Sequence, residues 1–132
     1  MIVADTNLVA YFVIPGTSTQ QAERVRAKDK VWVAPPFLPH ELLNVMTTYV
    51  RRNMLDRDEA LRAYRRGLTL VTISDLPFDP VAILNLATSS ACAAYDAEFV
   101  WLAKELGVPL VTADQEVLRA FPGVAVGLDQ FV

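Results

Sequence analysis

The feature that most constrains the fold is the alternation of short apolar runs with segments that carry helix signals. Four runs, rich in branched residues, lie at residues 2–5, 31–34, 69–73 and 109–112, and a fifth lies near 124–126. Strands that alternate with helices in this way form a parallel sheet covered on both faces. The sequence therefore predicts an α/β fold, a three-layer α/β/α sandwich with a central, mainly parallel sheet.

Capping and breaking residues indicate where the helices lie. We expect helices at about residues 17–28, 39–52, 58–66, 80–88, 95–106 and 115–120. Thr17 and Ser18 can cap the first helix, and Asp56 or Asp58 can cap the third. Gly67 and Gly107 are expected to end the third and fifth helices.

The length and composition are those of one folded domain. The 132 residues are 53% hydrophobic and 20% charged, which is ample material for a core, and we expect a single domain over residues 1–132. No apolar run is long enough for a membrane span, and the N-terminus lacks the pattern of a signal peptide, so we expect a cytoplasmic protein with no membrane partner. The lone Cys92 allows no internal disulfide and argues against a zinc site.

The net charge of −3 is unusual for a protein that binds nucleic acid, but the charge is unevenly distributed. Residues 1–66 carry ten Lys or Arg and seven Asp or Glu, whereas residues 67–132 carry two and eight. Six arginines follow one another closely in the first half: Arg51, Arg52, Arg57, Arg62, Arg65 and Arg66. They form either a solvated helical face or a surface that contacts phosphates.

Four acidic residues are predicted to meet at one edge of the sheet. Asp5 and Asp114 follow apolar strands, and Glu41 and Asp96 lie in the first turns of predicted helices. The carboxyl ends of parallel strands and the starts of the following helices share an edge, where open sheets bind their ligands. Each acid alone could equally be a cap or an ordinary first-turn acid. Their mutually consistent positions favour a cluster.

A cluster of four carboxylates indicates a hard divalent cation. Without one, the acids would repel each other and raise one another's pKa. Mg²⁺ and Mn²⁺ prefer oxygen ligands and keep several waters. Such ions can activate a water for attack on phosphorus, which is the metal-assisted nuclease mechanism.

Four segments of the chain resemble the PIN-domain family, especially its VapC-type toxins. These segments are residues 2–7 (IVADTN), 41–44 (ELLN), 95–99 (YDAEF) and 110–114 (LVTAD). The resemblance covers essentially the whole chain and implies a PIN-like fold. It also implies a metal-dependent endoribonuclease in which Asp5, Glu41, Asp96 and Asp114 ligate Mg²⁺ or Mn²⁺. RNA as the substrate follows from this resemblance and not from the spacing.

The resemblance implies partners and supporting residues as well. The partners are an antitoxin protein, whose C-terminal segment would dock in a groove of the toxin, and a second copy of the chain in a homodimer. Thr6, Asn7 and Thr112 match polar positions that line the family's site, although ordinary turn hydrogen bonds explain them equally well. The family often has a basic residue after the fourth acid, whereas this chain has Gln115 and Glu116. Glu116 is therefore a candidate additional or substitute metal ligand.

Two surface expectations follow from the helical patterns. We expect Arg51, Arg52, Arg62 and Arg65 to be candidate contacts for RNA or the antitoxin. On the fifth helix a buried stripe is predicted through Tyr95, Phe99, Leu102 and Leu106, which leaves Trp101 on the polar face with Glu98 and Glu105. An exposed Trp101 would indicate an interface. His40, beside Glu41, could act as a general base, but we expect it to be a surface or capping histidine.

Other function classes fit less well. A haloacid-dehalogenase-type phosphatase needs a second Asp two residues after the first, where this chain has Asn7. A receiver-type phosphorylation module needs an acceptor Asp after the third strand and a Lys at a later strand end. Asp75 could imitate the acceptor, but Lys104 lies within a predicted helix. A catalytically inactive PIN fold that binds RNA or protein is a further alternative, which the complete set of four acids disfavours.

Overall fold

The structure, a computed structural model, describes all residues from 1 to 132. Its five strands are β1 (Ile2–Ala4), β2 (Trp32–Ala34), β3 (Val71–Ile73), β4 (Leu110–Val111) and β5 (Ala125–Val126). They form one sheet in the order β3-β2-β1-β4-β5, and every pair of neighbours is parallel. The predicted fold class is confirmed.

Eight helices connect and flank the strands. They are α1 (Thr6–Val13), α2 (Thr19–Lys28), α3 (Leu38–Arg51), α4 (Arg57–Leu70), α5 (Pro80–Thr88), α6 (Ala94–Leu106), α7 (Gln115–Ala120) and α8 (Leu128–Phe131). The chain runs from β1 outward to β3 and then returns past β1 to β4, so right-handed crossovers place α1–α4 and α5–α7 on opposite faces. None of these helices has the length and apolar character that a membrane crossing requires.

The core lies around the middle of the sheet. Every residue of β1, β2 and β4 is buried, whereas β3 at one edge is largely exposed. This is the pattern of parallel strands covered on both faces, where alternation of apolar and polar residues disappears. The strands are short, so the residues that follow them reach the edge of the sheet at once.

Helix α1 was not predicted from the sequence. Five of its eight residues are buried, and the helix contains no charged residue. A segment that is apolar on nearly all sides lacks the polar face that marks an amphipathic helix. Asp5 precedes it as the N-cap, and its side chain accepts a hydrogen bond from the Thr6 N–H. The short helix α8 was also not predicted.

The prediction that Gly67 ends a helix is wrong. Helix α4 continues through this residue to Leu70, and Gly67 is buried where α4 meets α1 and α3. A Cβ atom at this position would lie 2.9 Å from Leu42 Cδ2 and 3.1 Å from Val9 Cγ1. The glycine therefore permits close packing of helices. Gly107 does end α6, with a φ of 65° in the left-handed region.

The predicted caps have mixed outcomes. Asp56, not Asp58, is the N-cap of α4 and forms a capping box with Glu59. Helix α2 begins at Thr19, so Ser18 occupies the N-cap position as predicted, but its side chain makes no capping hydrogen bond. The hydroxyl of Thr19 instead binds backbone atoms of the turn before the helix.

The predicted exposure of two aromatic residues on α6 is wrong. Trp101 is only 8% exposed, whereas Tyr95, which was expected in the buried stripe, is 66% exposed. Phe99 and Leu102 are buried as predicted. The reason is that α6 packs against β1, β4 and α5, so most of its circumference is covered and a single buried stripe does not describe it. Trp101 therefore offers no exposed aromatic surface to a partner.

Candidate active site

The four predicted acids lie at the carboxyl edge of the sheet, where the strand order reverses. Strands β1 and β4 are neighbours at the centre, with Ala4 paired to Val111. Asp5 directly follows β1, and Asp114 lies three residues after β4, where it begins α7. Parallel α/β folds bind their ligands at such a reversal point.

The structure brings all four acids to one cavity. Glu41 lies in the first turn of α3 and Asp96 in the first turn of α6, so both helices present a carboxylate at the edge of the sheet. The cavity has a volume of about 160 Å³. Its lining residues are Asp5, Thr6, Asn7, Glu41, Asn44, Val45, Asp96 and Asp114. We call it the acid cavity.

Thr112 connects two of the acids. Its buried hydroxyl donates a hydrogen bond to Asp5 Oδ2 over 2.5 Å and accepts one from the Asp114 N–H over 3.0 Å. Asp114 Oδ1 in turn accepts from the N–H groups of Glu116 and Val117, as an N-cap does. The Asp114 carboxylate thus both caps α7 and lines the acid cavity.

Thr6 connects another pair of acids. Its hydroxyl donates to Glu41 Oε1 over 2.7 Å, and its N–H donates to Asp5 Oδ1 over 2.7 Å. Thr6 and Thr112 are the two polar residues whose side chains are buried. Both were predicted as supporting residues, and each holds an acid of the cavity in position. Asn7, the third predicted supporting residue, lines the cavity from the exposed side.

The acids are electrostatically unfavourable to one another. Burial, together with the nearby carboxylates of Glu41 and Asp96, raises the pKa of Asp5 to about 6, although hydrogen bonds from Thr112 and Thr6 oppose the shift. Burial and the Asp96 charge also raise the pKa of Glu41. Burial raises the pKa of Asp96, and Asp114 and Glu116 contribute in the same direction.

No basic side chain neutralises this charge. No Lys, Arg or His lines the acid cavity. The one ion pair in the structure joins the Met1 amine to Asp29, on the opposite edge of the sheet. The acid cavity therefore concentrates carboxylates without an internal counter-ion, and a bound cation would compensate their charge.

The donor set of the acid cavity suits a hard divalent cation. All four charged groups are carboxylates, which are the ligands that Mg²⁺ and Mn²⁺ prefer, and Cys92 is buried outside the lining. As the side chains are placed, no three acidic, histidine or cysteine residues approach closely enough to hold an ion together. The chemistry of the cavity fits a metal, and its carboxylates would have to turn further inward to bind one.

Some site residues were missed, and one candidate lies outside. Asn44 lines the acid cavity, one turn after Glu41 on the same face of α3, and that spacing could have identified it. Glu116 does not line the cavity, although it is close enough to raise the pKa of Asp96. His40 is exposed, as expected.

The arginines are exposed but lie away from the acid cavity. Arg51 and Arg57 line a groove between α3 and α4 with a volume of about 380 Å³, together with Leu43 and Leu61. Arg62 and Arg66 line a separate cavity beside Val13 and Pro15. Arg52 and Arg65 are exposed as well. None of the six contributes to the lining of the acid cavity.

The residues of the receiver-type alternative are not brought together. Asp75 and Lys104 are both exposed, and neither lines the acid cavity. The constellation that this chemistry requires is therefore not formed around the four acids.

Comparison with known proteins finds similarity in both sequence and structure. No protein-family model matches the chain. The chain is 26% identical over 129 residues to Ribonuclease VapC3 of Pyrobaculum aerophilum, which covers 93% of this chain and 96% of that protein. It also resembles the crystal structure of PAE2754 from Pyrobaculum aerophilum, with a TM-score of 0.77 and 19% identity over 97% of this chain and 83% of that one. The structural similarity shows a shared fold.

Proposed function

We propose that the chain is a Mg²⁺- or Mn²⁺-dependent endoribonuclease of the PIN-domain, VapC type, in one domain over residues 1–132. The observation that carries the proposal is the acid cavity, in which four carboxylates meet at the central strand ends with no basic partner. The similarity to a protein named a ribonuclease supports RNA as the substrate. Hydrolysis of phosphodiester bonds is the reaction that best fits four clustered carboxylates able to hold divalent cations.

In the proposed mechanism Asp5, Glu41, Asp96 and Asp114 hold one or two divalent ions. Such an ion, held by these carboxylates, would lower the pKa of a bound water and would stabilise the negative charge that develops during phosphodiester hydrolysis. Thr112 and Thr6 orient Asp5 and Glu41 through their hydrogen bonds. Such orienting contacts keep ligands in place and tune their basicity. Asn7 and Asn44 are available at the rim of the cavity to contact a phosphate or water.

We further propose that the protein is the toxin of a toxin–antitoxin pair and acts on RNA in the cytoplasm. The groove between α3 and α4 supports an antitoxin contact because it combines apolar walls with two arginines, Arg51 and Arg57. A segment that is apolar and acidic would complement it. A homodimer is supported by the outer face of α5, where Val81 and Leu84 are largely exposed.

The experiment that tests the function is cleavage of total cellular RNA by the purified protein in Mg²⁺ or Mn²⁺. Asp96→Asn removes one acid of the cavity, and Asp75→Asn is the matched control at an exposed acid outside it. We expect discrete products with the wild type and the control, and none with Asp96→Asn or with EDTA. Equal cleavage by Asp96→Asn and the wild type would contradict the site. RNA binding without cleavage in Mn²⁺ would favour the inactive PIN-fold alternative.

A further inference from the structure

A second cavity lies beside the acid cavity on the same edge of the sheet. It has a volume of about 370 Å³, and its lining includes Phe37, Ser74, Phe78, Tyr95, Glu98 and Trp101. Phe37 lies after β2 and Ser74 directly after β3, whereas the acid cavity lies beyond β1 and β4. We call it the aromatic cavity.

The two cavities meet near the beginnings of α3 and α6. Tyr95 in the aromatic cavity directly precedes Asp96 in the acid cavity. Glu98 in the aromatic cavity likewise lies two residues after Asp96 on α6, and Glu41 lines the acid cavity. A molecule bound in one cavity is therefore a direct neighbour of a molecule bound in the other.

The walls of the aromatic cavity offer rings for stacking. Phe37 contacts Tyr95 edge-on, with ring centroids 5.5 Å apart, and contacts Phe99 at 5.3 Å. Tyr95 and Phe78 nevertheless remain largely exposed. Unpaired bases of RNA stack on exposed aromatic side chains of this kind.

Polar groups in the same cavity have unused hydrogen-bonding capacity. Trp101 is more than nine-tenths buried, and its Nε1 has no partner. Ser74 Oγ accepts a hydrogen bond from the Leu76 N–H over 3.2 Å, which leaves its own proton free to donate. The carboxylate of Glu98 is an acceptor of two or more hydrogen bonds. Apolar walls with a few convergent polar groups are typical of small-ligand sites.

We propose that the aromatic cavity binds one guanine base of the RNA substrate, next to the phosphodiester bond addressed by the acid cavity. Tyr95 and Phe78 stack on the base, and Glu98 accepts hydrogen bonds from its N1–H and its amino group. This inference rests on the proposed ribonuclease function and names the base that the site prefers.

Guanine fits the polar groups better than the other bases. Its Watson–Crick edge presents two adjacent donors, which match the two oxygens of a carboxylate. Adenine, cytosine and uracil each present one donor group on that edge and so pair with a single carboxylate oxygen. The carbonyl oxygen of guanine can also accept from Ser74, which is the donor at the mouth of the cavity.

The test combines binding of single nucleotides with mapping of cleavage sites. In EDTA, GMP and CMP are titrated into the wild type, Glu98→Gln, Tyr95→Ala and Glu105→Gln, which is a matched control at an exposed acid of α6. We expect the wild type and Glu105→Gln to bind GMP at least tenfold more tightly than CMP, and Glu98→Gln to lose this preference. Because Tyr95 is exposed, Tyr95→Ala should stay folded and bind both nucleotides more weakly.

Cleavage of random-sequence RNA in Mn²⁺ gives the second readout. We expect guanine at one fixed position beside the cut in wild-type products, and loss of that enrichment with Glu98→Gln. Cleavage without any base enrichment, or GMP binding no tighter than CMP binding, would overturn the guanine site and leave the ribonuclease in place. Selective GMP binding through Glu98 without RNA cleavage would support the cavity and contradict the ribonuclease. A dimer that Tyr95→Ala dissociates, without nucleotide selectivity, would assign the surface to a second copy of the chain and overturn the proposal.

Discussion

The buried hydroxyl of Thr112 donates a hydrogen bond to Asp5 Oδ2 over 2.5 Å and at the same time accepts one from the backbone of Asp114. One side chain thus joins the ends of β1 and β4 and sets the distance between two acids that are far apart in sequence. The centre of the sheet holds Thr112 in place, and the hydrogen bonds of Thr112 hold Asp5 and Asp114 in place.

Replacing Thr112 with valine tests this connection. Valine has a similar shape but leaves the Asp114 N–H without its acceptor and Asp5 without a donor. We expect metal affinity and RNA cleavage to fall by about 10–100-fold, as for other residues that orient metal ligands. The hydrogen bond from Thr112 lowers the pKa of Asp5, so its loss should move the acidic limb of the pH–rate profile to higher pH.

The matched control is Thr88→Val, since the hydroxyl of Thr88 only binds backbone oxygens within α5. Its activity and pH profile should equal those of the wild type. Unchanged metal affinity in Thr112→Val would mean that the sheet alone positions Asp5.

The metal-free protein should be destabilised by the charge on Asp5. Burial raises the pKa of this carboxyl from 3.8 to about 6, so the folded state binds its proton more tightly than the unfolded chain. The free energy of unfolding therefore falls as the pH rises from about 4 through about 6. In EDTA at neutral pH, Asp5→Asn should raise it by about 1–3 kcal/mol, because Asn keeps the cap without the charge.

Urea denaturation of the wild type and Asp5→Asn at several pH values measures this effect. The difference between the two proteins should disappear near the ordinary pKa of aspartic acid, where both side chains are neutral. Asp75→Asn, at an exposed acid, should show no such pH-dependent difference. A wild type that is more stable than Asp5→Asn at neutral pH in EDTA would contradict the unfavourable charge.

The arginine surface can be tested with charge reversal. If Arg62 and Arg65 contact phosphates, Arg62→Glu and Arg65→Glu should each weaken RNA binding and reduce the slope of log affinity against log salt by about one. Filter binding or fluorescence anisotropy across salt concentrations measures both quantities. Lys30→Glu is the control, because Lys30 is exposed at the opposite edge of the sheet. Unchanged RNA binding in both arginine variants would show that this surface does not contact RNA, and contact with the antitoxin would remain as its proposed role.

The strand–helix alternation was predictable from the sequence, but two helix features were not. Parallel strands buried on both faces appear as short apolar runs, and these were found. Helix α1 is just as apolar, because sheet and helices cover most of it, and so it lacks the charged residues that mark the exposed face of a helix. The role of Gly67 depends on the approach of Leu42 and Val9, which only the tertiary packing determines.

The acids of the site were predictable because the ends of strands and the beginnings of helices can be recognised from the sequence alone. Asn44 could have been found from its position one turn after Glu41, but Glu98 was harder to find, since it becomes a neighbour of Glu41 only after α3 and α6 have packed. Trp101 was misplaced for the same reason: a helix covered by both the sheet and α5 does not divide into one buried and one polar face.

Gly67→Ala should destabilise the protein. In an open helix this change stabilises by about 0.5–1 kcal/mol, but here the new methyl group would clash with the buried side chains of Leu42 and Val9. We expect a loss of about 1–3 kcal/mol, as for other overpacked cores. Gly123→Ala is the comparison, since a Cβ there meets no atom within 4 Å. Equal or greater stability of Gly67→Ala in urea denaturation would show that the helices can separate without penalty.

Titration of Mn²⁺ into the purified protein, followed by calorimetry, most directly tests the claim that four carboxylates form one metal site. Glu41→Gln removes a ligand, and Glu105→Gln removes an exposed acid elsewhere. The account predicts saturable binding by the wild type and by Glu105→Gln, and at least a tenfold loss of affinity in Glu41→Gln. No saturable binding by the wild type, or equal affinity in Glu41→Gln, would contradict it.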